Sequence, residues 1–252
     1  MKLRTLTLER RGAVAELRLG RPERGSPIDL ALLDELDALT ADLDADPGVR
    51  ALLITSAREI FSHGWDMAEP PATATTSGRL AFRCLEEMGI PAVACIEGDA
   101  VGAGLELALA CDVRIAGEGA TFAVPDVAMG TMPTAGATQR LPRLVGRAKA
   151  AEMLLLGARL DASDALACGL VNRVVPPGAT VAAAEEFAAR VAARGPLAVR
   201  YAKEAMLRGL DMPLEQALRY ETDLTVILQT TEDRAEGVRA FLEKRPPDFG
   251  GR

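Results

Sequence analysis

The chain has 252 residues, of which 49% are hydrophobic and 26% charged, a composition typical of a soluble globular protein that can bury a substantial core. Its formal net charge is −7, and neither lysine nor arginine gathers into a long stripe, so we expect no nucleic-acid partner. The N-terminus lacks the apolar run of a signal peptide, and no later stretch reaches the roughly 18 apolar residues needed to span a bilayer. The sequence therefore predicts a cytoplasmic protein without a membrane partner, built around one large domain.

The first half of the chain is predicted to alternate strands with helices. Polar and apolar residues alternate in 3–10 and 13–20, which predicts a hairpin turned at Arg11-Gly12. A helix, a strand, a polar stretch containing proline, a second helix and a second strand are then expected over residues 28–43, 51–55, 68–78, 80–88 and 92–96. Glycines after position 98 precede a predicted helix over 103–110, and a strand over 112–116 follows.

Beyond Pro133 the chain is predicted to be mostly helical. Only residues 170–175 are expected to form a strand there. Apolar residues recur at 3.6-residue spacing over 135–144, 148–156, 162–168, 181–193, 196–208, 214–228 and 232–243. An alternating half followed by a helical half predicts an α/β fold in which a sheet packs on helices and a helical module trails.

The four cysteines are predicted to be buried free thiols. Cys84, Cys95, Cys111 and Cys168 lie among apolar residues, and no two of them form a CxxC pair. Structural zinc and redox dithiols usually need such pairs. The sequence therefore predicts no metal site.

Three segments carry the candidate chemistry. Gly64 permits a sharp turn that leaves the N–H of Trp65 unpaired, while Gly102 and Gly104 let a substrate approach N–H groups at the start of a helix. Two converging N–H groups would form an oxyanion hole. The segments are Phe61-Ser-His-Gly-Trp-Asp66, Gly98-Asp-Ala-Val-Gly-Ala-Gly-Leu-Glu-Leu107, and Phe122-Ala-Val-Pro-Asp-Val-Ala-Met-Gly-Thr-Met-Pro133, which leads into Gly136-Ala-Thr-Gln-Arg-Leu-Pro142.

These glycines have two alternative interpretations. The first is that they make turns and have no function. The second is a dinucleotide fingerprint, because a strand, Gly102-x-Gly104 and a helix occur in that order, with Asp126 at a suitable distance. However, position 107 is leucine where that fingerprint needs a small residue, and no early βαβ unit frames the motif. The sequence therefore disfavours a dinucleotide site.

The three segments, in this order, resemble the two oxyanion segments and the catalytic-carboxylate segment of the enoyl-CoA hydratase/isomerase (crotonase) superfamily. The tail Phe241-Leu-Glu-Lys-Arg245 with Phe249 resembles the C-terminal signature of that superfamily, and the similarity covers nearly the whole chain. The resemblance implies a ClpP/crotonase fold of repeated ββα units in two roughly perpendicular sheets. It implies a core over 1–195 and a helical region over 196–252 that covers the CoA pocket and forms homotrimers or dimers of trimers. The implied substrate is an acyl-CoA thioester, so coenzyme A is part of the substrate and no separate cofactor is needed.

The resemblance also implies a role for each matching position. The N–H groups of Trp65 and Ala103 would bind the thioester oxygen, and Glu106 would position and activate water. Asp126 falls where the family has a second glutamate, which transfers a proton at the carbon next to the thioester. The implied contacts to substrate or coenzyme A are His63, Gly64, Asp66, Gly102, Gly104, Phe241 and Lys244.

Adding water to a 2-enoyl thioester needs a base at the water and a proton donor at C2, which explains why two acids are wanted. An apolar pocket should raise the pKa of at least one of them. The alternatives are a helix-surface role for Glu106 and a loop or capping role for Asp126, which follows Pro125. A catalytically silent relative that binds an acyl-CoA or a partner protein is the alternative to an enzyme.

His63 is the only histidine in the sequence. Contact with the pantetheine arm is one interpretation, and an ordinary loop position is the other. Ser62 and His63 are neighbours and cannot face each other in a triad, which excludes hydrolysis by a Ser-His-Asp triad. Asp66 is expected to hold its turn through hydrogen bonds from the backbone.

Overall fold

The computed structural model describes residues 3–57, 59–68 and 81–252. Its first half contains β1 (Leu6–Arg11), β2 (Val14–Leu19), a 3₁₀ turn (Pro22–Arg24), α1 (Leu30–Ala45), β3 (Ala51–Thr55), β4 (Ile60–Ser62), α2 (Arg83–Glu87), β5 (Ala92–Ile96), β6 (Asp99–Val101), α3 (Ala103–Ala110), β7 (Val113–Gly117) and β8 (Thr121–Ala123). Its second half contains a 3₁₀ turn (Asp126–Met129), α4 (Ala137–Leu156), β9 (Leu160–Asp161), α5 (Ala162–Ala167), β10 (Arg173–Val175), α6 (Thr180–Ala192), α7 (Pro196–Gly209), α8 (Leu214–Gln229) and α9 (Glu232–Glu243).

The larger sheet has six strands in the order β1-β2-β3-β5-β7-β10. The hairpin β1–β2 is antiparallel, with Leu6 opposite Leu19, and the other neighbours are parallel. Every residue of β3 and β5 is buried, as expected for central strands covered on both faces. The predicted hairpin and the predicted bounds of both central strands are confirmed. The hairpin turns at Gly12-Ala13 and not at Arg11-Gly12, because Arg11 still pairs with Val14.

The smaller sheet has four strands in the order β4-β6-β8-β9. Its short strand β9 pairs antiparallel with β8, so the prediction of a single strand beyond Pro133 was wrong. The predicted strand over 170–175 is also shorter than expected. The N–H groups of Leu170 and Val171 both donate to the carbonyl oxygen of Ala165, which closes a turn and delays the strand until Arg173.

Several helix ends differ from the prediction for local reasons. The first helix begins at Leu30 because the Asp29 carboxylate accepts a hydrogen bond from the Leu32 N–H at 2.8 Å, while Ile28 still bridges to the neighbouring backbone. The helices predicted over 135–144 and 148–156 are joined in α4 across a kink at Gly146, where φ is 78°. The helix predicted over 80–88 covers only Arg83–Glu87. Most of the predicted polar stretch over 68–78 lies outside the described residues.

Helix α3 is the central helix of the fold. All eight of its residues are buried, which matches a sequence that is apolar on every side except at Glu106. Its C-terminal end is closed by Arg114, whose Nη1 donates to the carbonyl oxygen of Cys111 at 2.6 Å and whose Nε donates to that of Leu170 at 2.7 Å. A cation at this end also complements the helix dipole. The opposite end, at Ala103, faces the candidate site.

The C-terminal helices bury little apolar surface. On α7 the buried residue is Lys203, whose ammonium donates to the carbonyl oxygens of Leu85 and Ile90 and lies 2.7 Å from the Asp112 carboxylate. On α8 only Leu224 is buried.

No helix in the described part of the chain is both long and apolar enough to cross a membrane. All four cysteines are free, as predicted, but only Cys95 and Cys111 are buried; Cys84 and Cys168 are half-buried, so the prediction of burial was wrong for these two.

Candidate active site

The two glycine-rich segments meet where β4 passes the start of α3. A Cβ on Gly104 would lie 2.7 Å from the Cβ of Ser62 and closer still to the Ser62 carbonyl oxygen. Gly64 has φ of +97°, and a Cβ there would lie 2.9 Å from the Val101 carbonyl oxygen and 3.1 Å from the Ala103 nitrogen. Glycine is needed at both positions because backbone lies directly against backbone. The structure therefore brings the segments as close together as the sequence predicted.

Two backbone N–H groups are available at this junction. Within the described residues, neither the N–H of Trp65 nor that of Ala103 donates a hydrogen bond. The N–H of Asp66 donates to the Ile28 carbonyl oxygen, and the N–H of Gly102 donates to that of Ala123. The Ala103 N–H also stands at the first position of α3, where the helix dipole adds positive partial charge.

Glu106 is fully buried on the first turn of α3. Its Oε1 accepts hydrogen bonds from the N–H groups of Ala135 at 2.9 Å and Ala137 at 2.8 Å. Its Oε2 is buried and has no partner. One oxygen therefore fixes the side chain, and the other remains available to bind and deprotonate a water molecule.

Asp126 lies at the start of the 3₁₀ turn after β8 and is only 6% exposed. Its Oδ2 is buried without a partner and faces Gly102, on which a Cβ would lie 3.8 Å from that oxygen. A second carboxylate therefore borders the glycine where the two segments meet. Its unpaired oxygen is free to hold or release a proton.

The surroundings of Glu106 and Asp126 raise the pKa values of both carboxyl groups. Burial raises the pKa of Glu106 to about 7, the two N–H donors oppose that rise, and the nearby Asp126 carboxylate adds to it. Burial also raises the pKa of Asp126 above its ordinary value. A carboxylate whose pKa lies near neutral pH is suited to both accepting and donating a proton.

The turn beside the site holds the other predicted residues of this segment. The Asp66 carboxylate accepts from the Ala68 N–H at 3.0 Å and pairs with Arg24 at 2.7 Å. The His63 side chain is exposed, and its Nε2 lies 4.0 Å from the Asp99 carboxylate. The backbone N–H of His63 donates to the Gly25 carbonyl oxygen. Asp66 thus has the turn-holding geometry expected of it. Contact of either side chain with a substrate stays a prediction.

The predicted tail residues lie on the outside of the single chain. Phe241 is 82% exposed on α9, and Lys244 follows at the end of that helix with φ of 54°. Among the residues that the structure describes, no hydrogen bond or ion pair joins either one to the carboxylates or to the glycine segments. Their predicted contact with coenzyme A stays a prediction.

The sequence analysis missed the groups that support Glu106. The backbone N–H groups of Ala135 and Ala137 have no side-chain signature, and they lie about thirty positions from the residue they bind. Arg140 appears in the sequence analysis only as part of a motif, yet its guanidinium contacts the same turn.

Two further polar atoms near these segments are buried without partners, the indole Nε1 of Trp65 and the hydroxyl of Thr134. In the described part of the chain, no group of His, Cys, Asp and Glu could hold a metal ion.

Two mostly parallel sheets, a fully buried helix and two buried acids beside unpaired N–H groups are what the resemblance to the crotonase superfamily implies. Residues 9–252 match the family described as Enoyl-CoA hydratase/isomerase. The chain belongs to this family. It is therefore an acyl-CoA-processing enzyme of the hydratase/isomerase type, which confirms the resemblance, the fold class and the general activity expected from the sequence.

Individual relatives are similar along their whole length. The chain is 40% identical over 253 residues to the 2,3-dehydroadipyl-CoA hydratase of Escherichia coli (strain K12), covering 98% of this chain and 99% of the relative. It is also 40% identical over 253 residues, with the same coverage, to the (E)-benzylidenesuccinyl-CoA hydratase of Thauera aromatica. The solved enoyl-CoA hydratase from Bacillus anthracis superposes with a TM-score of 0.95 at 35% identity, covering 99% of this chain and 100% of that one.

Proposed function

We propose that the chain adds water across the 2,3-double bond of an acyl-CoA thioester, with Glu106 and Asp126 as the two acid–base groups. The observation that carries this proposal is the pair of buried carboxylates, each with one unpartnered oxygen, next to the free N–H groups of Trp65 and Ala103. Relatives named as hydratases support hydration over isomerisation.

In the proposed reaction, Glu106 accepts a proton from water as the water oxygen attacks C3. The electrons of the double bond move to the thioester oxygen, and the resulting enolate is held by the N–H groups of Trp65 and Ala103. Protonated Asp126 then donates its proton to C2 as the enolate collapses. The product is a 3-hydroxyacyl-CoA, and the two acids exchange their protons with solvent before the next turnover.

Solvent-isotope labelling of the product tests the proposal. The enzyme is mixed with crotonyl-CoA in H₂¹⁸O and separately in D₂O, and the product is analysed by mass spectrometry. We expect a 3-hydroxy product with ¹⁸O at C3 and one deuterium at C2. A 3-enoyl product without ¹⁸O would identify an isomerase, and binding without turnover would identify a silent relative. Either result would contradict the proposal.

The acyl group is tested with a panel of thioesters. The two hydratases named above have names that specify adipyl and succinyl skeletons. We therefore propose that 2,3-dehydroadipyl-CoA is a substrate of this chain as well. The test measures kcat/KM for 2,3-dehydroadipyl-CoA with crotonyl-CoA as the reference, and no detectable turnover of 2,3-dehydroadipyl-CoA would contradict the proposal.

A further inference from the structure

Arg140 connects two elements at a position that the proposed reaction leaves without a role. Its Nε and Nη2 donate to the two carboxylate oxygens of Glu86 on α2, at 2.6 and 2.8 Å. Its Nη1 donates to the carbonyl oxygen of Ala135 at 2.7 Å. The Arg140 side chain is 17% exposed and that of Glu86 is 35% exposed, so this two-pronged pair is partly sheltered from solvent.

The turn that Arg140 contacts is the one that holds Glu106. Ala135 is fixed on both sides, because its N–H donates to Glu106 and its carbonyl oxygen accepts from Arg140. Gly136 follows with φ of +112°, and a Cβ on it would lie 2.9 Å from the Cζ of Arg140. The glycine therefore makes room for the guanidinium beside the turn.

The charges around Glu106 come from three elements. Asp126, on the turn after β8, favours the protonated form of Glu106, and Arg140, on α4, favours the ionised form. Glu86, on α2, neutralises part of the Arg140 charge through their bidentate pair. Removing either member of the pair should therefore change the proton affinity of Glu106, and the two changes should have opposite signs.

We infer that Arg140 is a positioning residue for Glu106, with Glu86 holding it in place. Arg140 fixes the turn whose two N–H groups orient the carboxylate, and it supplies the positive charge that favours the ionised base. This inference rests on the proposed function, in which Glu106 takes the proton from water.

The test measures kcat, KM and the pH dependence of kcat/KM with crotonyl-CoA. Arg140→Gln should lower kcat roughly 10-fold to 10²-fold with KM little changed, because the base loses its alignment. The acidic limb of the pH profile of kcat/KM for this variant should move to higher pH, because the variant loses a positive charge that favours the ionised form of Glu106. Arg140→Lys keeps the charge without the two-pronged geometry, so it should lower kcat and leave the limb near that of the wild type. Glu86→Gln should move the limb to lower pH.

Arg143→Gln is the matched control, since Arg143 is an exposed arginine on the same helix that pairs with Asp211. It should change neither kcat nor the limb. An unmoved limb in folded Arg140→Gln would overturn the inference even if kcat falls. If Arg140→Gln does not fold, Glu86→Gln decides, and a limb that does not move to lower pH overturns the inference. Full turnover by Glu106→Gln would instead overturn the proposed function itself, so the two failures are distinguishable.

Discussion

At the scale of single residues, Glu106 combines two features that rarely occur together. It is anchored by two backbone donors through one oxygen, and its other oxygen is buried without a partner. An unsatisfied buried carboxylate oxygen is costly, so a fold that keeps one usually has a use for it. In the proposed hydration, that use is to accept a proton from water.

The substitution Glu106→Gln tests the base directly. Glutamine keeps the size of the side chain and an oxygen that accepts from Ala135 and Ala137, but it is not basic. We expect turnover with crotonyl-CoA to fall by about 10² to 10⁴. Calorimetric titration should show acyl-CoA binding largely unchanged. Wild-type turnover by this variant would remove Glu106 from the mechanism.

Asp126 is one methylene shorter than the glutamate that the family pattern places there. A displacement on the order of 1 Å can cost roughly 10²-fold in rate. The structure places its unpaired oxygen 3.8 Å from where a Cβ on Gly102 would lie, and we propose that the pocket is fitted to the shorter side chain. We therefore expect Asp126→Glu to lower turnover, measured with both crotonyl-CoA and the preferred thioester. A clear gain in crotonyl-CoA hydration would contradict a fitted pocket.

At the scale of elements, the contact between α3 and β4 sets the geometry of the site. The Gly104→Ala substitution places a Cβ against the backbone of Ser62, which cannot yield as a flexible side chain would. We expect this overpacking to cost about 1–3 kcal/mol of stability and, by moving the Ala103 N–H, to lower kcat by roughly 10². Chemical denaturation and initial rates measure the two effects.

The control for that prediction is Gly119→Ala, because a Cβ there would have nothing within 4 Å and Gly119 does not need a positive φ. This variant should keep wild-type stability and rate. If Gly104→Ala behaves in the same way, the close approach of α3 and β4 is not required for catalysis.

The elements that the sequence predicted best are those with a complete local pattern. Helix α3 and the central strands β3 and β5 have the predicted bounds, because a fully apolar helix and short β-branched runs between turns are clear signals. The strands β4, β6 and β8 have three residues each, which is too few to show alternation. They exist because neighbouring segments pair with them. The same contrast applies to the candidate site. Its two acids could be predicted from local sequence segments, whereas the turn at Ala135 that orients Glu106 has no local signature and could not.

At the scale of the whole molecule, the C-terminal helices present apolar side chains that the chain itself leaves uncovered. The exposed residues on α7 to α9 and the turn between them include Met206, Leu210, Leu214, Leu218, Val226, Ile227, Val238, Phe241 and Leu242. Because large apolar side chains exposed in such number often mark association sites, we propose that these helices form an oligomer interface. The division into a core over 1–195 and a helical region over 196–252 is a proposal that follows from the same observation.

We expect light scattering to give the mass of three or six chains. A mass near 26.6 kDa at every dilution would contradict this expectation. Leu214→Lys should shift the distribution toward monomer, because it puts a charge among the exposed apolar side chains. Glu215→Lys, a charge change at the adjacent position, is the control and should assemble as the wild type does.

The buried base also affects the stability of the whole fold. The pKa of Glu106 rises from 4.5 to about 7 on folding, so between these pH values the folded chain holds a proton that the unfolded chain has released. The contribution of Glu106 to stability therefore falls as pH rises through this window, by about 3 kcal/mol for such a shift. We expect Glu106→Gln to gain stability relative to the wild type in urea at pH 8 and to lose most of that advantage at pH 5. An equal difference at both pH values would contradict this.

Trp65 is placed where it can serve as an intrinsic fluorescent probe of the candidate active site. It is the only tryptophan in the sequence, and its backbone N–H is one of the two available at the site. The two tyrosines, Tyr201 and Tyr220, lie on α7 and α8, on the region proposed to form the assembly interface. Fluorescence excited at the red edge of the aromatic absorption therefore comes from the candidate active site alone, and we expect tyrosine absorbance to follow the proposed association of the chains. One unlabelled sample can separate ligand occupancy from assembly.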